Sequence, residues 1–127
     1  MLNSKDTIKT GARSIRPFIG AKDFQLSCNF YRDLGFEEVK LSPQMNLYTF
    51  GELGFYLQNA YVKDWIDNTM LFVEVQDVQA YLTTISLLHL TDKYPGVRLS
   101  AVQHFDWGSE FYLHDPSGIL WHFGQFK

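Results

Sequence analysis

The sequence predicts an α+β protein made of two βαβββ modules whose curved mixed sheets surround a cleft. Three observations predict it. A short strand-like run leads into a capped amphipathic helix at two places, three further strand-like runs follow each helix, and the two halves align with one another.

The elements follow in chain order. Residues 14–21 (SIRPFIGA) form a short apolar run of the aromatic and β-branched kind that suits a strand. Asp23 then stands as N-cap to FQLSCNFYRDL (24–34), and Gly35 sits where a C′ glycine ends a helix. EEVKLS (37–42), MNLYTFG (45–51) and LGFYLQNA (53–60) read as strands, broken at Ser42-Pro43 and at Gly51-Glu52. This first module spans about 14–62.

TMLFVEVQ (69–76) is a strand again, and Asp77 an N-cap again. Val78, Tyr81, Leu82, Ile85 and Leu88 keep the i, i+3, i+4, i+7 spacing of an amphipathic helix that must end before Pro95-Gly96. VRLSAVQHF (97–105), EFYLH (110–114) and ILWHFGQF (119–126) supply three strands, the last two joined by Asp115-Pro116-Ser117-Gly118, whose order suits a type I turn. The second module spans about 69–126. At an offset of 54, Phe18 aligns with Phe72, Ile19 with Val73, Ala21 with Val75 and Asp23 with Asp77.

Each helix covers one face of its sheet, so the other faces stay open and, with the modules side by side, enclose the cleft. Successive strand residues point to opposite faces. Ile119, Trp121 and Phe123 are expected under a helix, and Leu120, His122 and Gly124 toward the cleft. Residues 1–13 are polar and read as an N-terminal arm, either flexible or swapped onto a partner subunit.

A hydrophobic share of 46% with 20% charged residues suits a chain that folds as one domain over 14–127. The formal charge of −3 supplies no positive field for phosphates, which argues against nucleic-acid binding. No apolar stretch reaches signal-peptide or membrane-span form, and Cys28 has no second cysteine to pair with, so a cytoplasmic location away from membranes is expected. Aromatic residues make up 17%, enough for some rings to face a ligand.

DFQLSCNFYRDLGF (23–36), DNTMLFVEV (67–75) and WGSEFYLHDPSGILWHFG (107–124) together resemble the vicinal oxygen chelate superfamily. It includes glyoxalase I, extradiol dioxygenases, fosfomycin-resistance enzymes and bleomycin-resistance proteins; the last hairpin is in the bleomycin-resistance form. The resemblance runs from about Ser14 to Phe126 and implies the glyoxalase/bleomycin-resistance fold. It also implies metal-ligand positions on the first, fourth, fifth and eighth strands, which here hold Arg16, Tyr56, Met70 and His122.

Of these four, only His122 suits ordinary first-row metal chemistry. A catalytic site usually needs three N or O ligands plus an open position, and a guanidinium has no electron pair to give. His104 and His114, with Asp106, Glu110 and Asp115, supply further donors, but without a metal-ligand spacing. His89 falls near a helix end, where an imidazole helps the dipole. Cys28 sits mid-helix as a small apolar group, and no glycine-rich phosphate loop is present. No catalytic residue and no cofactor is expected, with His122 the single candidate if a metal binds.

What remains is a binding cleft. Bleomycin-resistance proteins, as the resemblance implies, bind the drug unaltered, as homodimers with aromatic clefts at the subunit interface. Phe72 and Trp107 match aromatic positions of that pattern, and Tyr48, Tyr56 and Phe105 lie on or near strands that can face the cleft. A desolvated ring against a planar or cationic group is worth about 0.5–2 kcal/mol. Glu110 can balance a positive ligand, while Gln58 and His122 can orient it by hydrogen bonds. The expected ligand-binding set is therefore Arg16, Tyr48, Tyr56, Gln58, Met70, Phe72, Phe105, Trp107, Glu110 and His122. The function expected is metal-independent sequestration of a planar or cationic small molecule by a homodimer. The alternatives are a metal-dependent lyase, isomerase or dioxygenase built on His122, and an interaction module whose cleft is filled by its own rings.

Overall fold

The computed structural model describes residues 3–127; Met1 and Leu2, part of the expected arm 1–13, lie outside the described residues. The arm forms a helix, α1 (Ser4–Gly11), which the sequence reading did not assign. Its start is fixed by Asn3, whose side chain accepts from the Asp6 N–H at 2.9 Å, an N-cap that satisfies one of the free amides of the first turn. No residue of α1 is buried.

The first module follows as β1 (Phe18–Gly20), α2 (Phe24–Leu34), β2 (Glu37–Ser42), β3 (Met45–Phe50) and β4 (Leu53–Gln58). The helix has the predicted bounds. Asp23 accepts from the Leu26 N–H, and Gly35 adopts φ 115°, a left-handed value that a Cβ would penalise. The sheet order is β1-β4-β3-β2, with β1 parallel to β4 and the rest antiparallel.

After a short α3 (Lys63–Asp67) the second module repeats the plan: β5 (Met70–Glu74), α4 (Val78–Ser86), α5 (Leu90–Lys93), β6 (Arg98–Leu99), β7 (Gln103–Phe105), β8 (Gly108–His114) and β9 (Leu120–Phe126). β5 runs parallel to β9 as β1 does to β4, in the order β5-β9-β8-β6 with β7 also paired to β8. Two predicted elements are divided. The run 97–105 splits because Ser100 Oγ takes the Tyr112 N–H and the register against β8 slips by one residue between Leu99↔Leu113 and Gln103↔Glu110. The predicted helix after Asp77 stops at Ser86, where Thr83, Thr84 and Ser86 hydroxyls bond back to carbonyls four residues earlier and His89 turns left-handed at φ 54°. Among the described residues, no helix is long and apolar enough to cross a membrane.

The core joins both modules. Phe55 and Leu57 from β4, Phe30 and Tyr31 from α2, and Leu113, Trp121 and Phe123 from the second sheet are all buried. Ile119, Trp121 and Phe123 thus lie on the covered side, as their alternation predicts. At the junction the Trp121 indole N–H donates to the Tyr31 hydroxyl at 2.9 Å, and Tyr31 donates to Asp115 Oδ2 at 2.7 Å. Asp115 Oδ1 accepts the N–H groups of Ser117, Gly118 and Ile119, so the predicted turn is built around a buried carboxylate and not an exposed one. Burial pushes the Asp115 carboxyl above its usual range even against those four hydrogen bonds.

Candidate functional site

The open face of the second sheet gathers six of the ten expected residues. Parallel pairing of β5 with β9 and antiparallel pairing of β8 with β9 put Met70, Leu120 and His114 in one row, Phe72, His122 and Tyr112 in the next, and Glu74, Gly124 and Glu110 in a third. His122 therefore stands mid-sheet. Its imidazole lies 6.4 Å from the Phe72 ring at 24° and edge-on to Tyr112 at 5.0 Å.

Aromatic rings continue toward the C-terminal end of the face. Trp107 packs at 6.1 Å from Phe72 and 5.3 Å from Phe126, and it stacks on Phe105 at 5.8 Å with planes 5° apart. Gly124 makes this possible, because a Cβ there would stand 2.8 Å from Phe72 Cε2 and 3.4 Å from Trp107 Cη2. Phe72, Phe105 and Trp107 keep 45%, 40% and 39% of their surface exposed, enough to offer ring faces to a ligand.

The charge on this face is a single carboxylate out of water. Glu110 is buried, and His122 Nδ1 lies 3.5 Å from its Oε1, too long for a strong hydrogen bond but an ion pair when the imidazole is protonated. The neighbouring Glu110 carboxylate, ahead of burial, pushes the Tyr112 hydroxyl above its ordinary range. His114, the last residue of β8, is half-buried. Burial, then the nearby Arg98 and His122, holds its imidazole below the usual value. The arrangement can hold a planar cation: rings on one side, a desolvated carboxylate beside them.

Three more expected residues lie on the open face of the first sheet. Arg16, Tyr56 and Gln58 share its alternation, and Phe18 stacks on Tyr56 at 4.7 Å. The Arg16 Nε is buried with no hydrogen-bond partner, beside Gly54, whose missing Cβ would come within 3.5 Å of it. Tyr48 is a correction. It lies on the covered side, fully buried against Tyr31 and Phe55, with its hydroxyl donating to Glu38 at 2.8 Å. Its neighbour in register is Phe55, which faces the core, so a ligand on the open face cannot reach it.

Sequence reasoning missed Tyr112 and Phe126, and it placed Gly124 on the cleft face without a role. The alternation of β8 already puts Tyr112 on the side of Glu110 and His114, and that of β9 puts Phe126 on the side of His122. The metal-ligand positions implied by the resemblance do not fit a metal, because the Arg16 guanidinium has no electron pair to give and Met70 offers only a soft thioether, which leaves Tyr56 and His122. Among the described residues, no three of His, Cys, Asp and Glu come together. Asp115, a donor on paper, is committed to its turn.

No family model and no curated protein sequence matches the chain. Solved structures do. A bleomycin-binding protein complexed with bleomycin superposes at a TM-score of 0.76 with 19% identity, covering 91% of this chain and 100% of that one. The bleomycin-binding protein of Streptomyces verticillus, complexed with copper(II)-bleomycin, gives 0.75 with 23% identity over 90% of this chain and 96% of that one. A lactoylglutathione lyase from Agrobacterium tumefaciens gives 0.67 with 18% identity over 90% and 94%. Such likeness fixes the architecture: the chain has the glyoxalase/bleomycin-resistance fold, with bleomycin-binding proteins among its structural neighbours.

Proposed function

We propose that the chain is a small-molecule binding protein of the bleomycin-resistance type that sequesters a planar or cationic compound without a metal. The observation that carries this reading is the buried Glu110 set beside His122 and flanked by Phe72, Trp107 and Phe105. The bleomycin-binding neighbours, complexed with bleomycin and with copper(II)-bleomycin, add support for small-molecule binding. We further propose a cytoplasmic homodimer. Phe18 and Met70 stand 58% and 63% exposed on the two open faces, apolar surface that a second copy would cover. The N-terminal arm, a helix without a buried residue, is free to cross between subunits in such a dimer.

Tryptophan fluorescence and melting temperature, read across a panel of glycopeptide and aromatic cationic compounds, test the binding. A ligand is expected to quench Trp107, and Glu110→Gln is expected to weaken a cationic ligand about 10-fold while leaving the fold intact, the usual size of one desolvated charge contact. A panel that moves neither signal would sink the reading. The lyase neighbour favours a second one, metal-dependent lyase, isomerase or dioxygenase chemistry on His122. Elemental analysis of untagged protein against His122→Ala separates the two: near-stoichiometric metal lost in the variant supports the enzyme, and its absence from both supports sequestration.

A further inference from the structure

A cavity of about 490 Å³ lies between the modules along the open edge of β5; of the residues on the Glu110–His122 face it takes in Phe72 and Glu74 but not Glu110, His122 or Trp107. Its floor is apolar: Phe36, Phe50 and Phe55 from the first module, Leu71, Val73 and Trp121 from the second. Its walls are fixed. Phe36 and Phe50 stack at 3.6 Å with planes 11° apart, Phe55 lies 5.3 Å from Trp121, and the Trp121 indole is tied to Tyr31. Side chains held this way cannot swing in to fill the space, so the cavity is preorganised, and its volume falls in the range of small-molecule pockets.

The rim is polar. Glu52 and Glu74 bring carboxylates, and Arg13 a single opposing charge. Among the described residues none of the three has an ion-pair partner within 4.0 Å, although other ion pairs form elsewhere on the surface. The rim also carries strand edge. β5 pairs with β9 alone, and the Val75 N–H to Gly124 and Leu120 N–H to Thr69 bonds show that odd-numbered residues of this stretch face β9. The peptide groups of Phe72 and Glu74 therefore point off the open edge, with a donor and an acceptor each and no ladder partner.

We propose that this cavity is a binding site for a bicyclic aromatic compound carrying a cationic amine. The rings enter the apolar floor against Trp121 and Phe55, and the ammonium stays at the rim between the Glu52 and Glu74 carboxylates, within reach of the free β5 edge. This site borders the aromatic face proposed above at Phe72, and its floor and its Glu52 and Arg13 rim lie outside that face.

The probe is 1-naphthylmethylamine, with 1-naphthoate as its anionic counterpart, titrated into the full chain by calorimetry. The amine is expected to bind and the naphthoate to bind more weakly. In the exposed-surface double variant Glu52→Lys/Glu74→Lys the amine is expected to lose about fivefold, the size of two exposed ion pairs, and the naphthoate to gain. Leu53→Trp, at a rim position 63% exposed and so safe for the fold, is expected to abolish binding of both by filling the entrance. In the Trp107→Ala/Glu110→Gln background, which weakens any amine held on the other face, the amine is expected still to bind the cavity and Leu53→Trp to remove that binding, which separates this site from the first. The proposal is overturned if the amine does not bind, if charge reversal leaves its affinity unchanged, or if Trp107→Ala removes it, since the amine then sits on the other face. It is equally overturned if Leu53→Trp changes the sedimentation of the protein and not the binding, because a second copy then covers the cavity.

Discussion

Tyr31 shows how much a single hydroxyl can carry. It accepts the Trp121 indole N–H and donates to Asp115, so its removal strands a buried donor and a buried carboxylate oxygen together. Tyr31→Phe keeps the ring and its edge-on contact with Phe55 at 4.8 Å, which isolates the hydroxyl's share. Denaturant unfolding of that variant is expected to show a loss of about 2–4 kcal/mol, two unsatisfied buried groups at about 1–3 kcal/mol each with partial relaxation. A loss under about 0.5 kcal/mol would mean the relay is not made in solution. Sequence gave no sign of this role, since Tyr31 reads only as an apolar position on a helix. The face of His122, which follows from the alternation of its strand, was legible. Tyr48 was not, because an aromatic at a strand position carries no mark of which side is covered until the register to Phe55 is known.

Helix ends were the most readable elements. Asp23 and Asp77 each accept an N–H from the third residue on, Leu26 and Ala80, at 3.1 and 3.0 Å. The short polar side chain before an apolar helix is a local signal, which is why sequence alone places both starts. Asp23→Ala and Asp77→Ala are each expected to cost about 1 kcal/mol, within the 0.5–2 kcal/mol of lost caps. Melting temperatures of the two variants check this, and a null result at either site would show that helix to be held by packing alone. The hidden features depend on contacts distant in sequence. The break in residues 97–105 needs the Ser100–Tyr112 bond, and the division of α4 from α5 needs the accumulated back-bonds of Thr83, Thr84 and Ser86. Asn3 was a local signal of the same kind as Asp23, but a polar stretch without apolar periodicity gave no helix for it to start.

For the whole molecule, pH dependence is set in part by His114. Burial, Arg98 and His122 hold its pKa in the folded state below the ordinary 6.5. The unfolded chain then binds the proton more readily, so stability is fully present above 6.5 and falls as pH drops toward the folded value. Thermal melts between pH 7.5 and pH 5 are expected to fall in the native chain and to fall less in His114→Gln; equal slopes would remove His114 from the account. The doubled plan of the chain was visible in sequence, from the strand–helix repeat and the matched Asp23 and Asp77. How the halves meet was not, because alternation fixes a side chain's face and leaves open what covers it.

The relay from Trp121 through Tyr31 to Asp115 crosses from the second module to the first and back, and its partners are buried in a core that neither half owns. Each module alone would expose Phe55 or Trp121 to water, at a cost of the order of 3–5 kcal/mol if such a side chain's packing is lost. A sequence written twice is thus expected to unfold as one cooperative unit. Differential scanning calorimetry is expected to give a single transition whose calorimetric and van't Hoff enthalpies agree, and fragments divided between the modules should regain structure only when mixed.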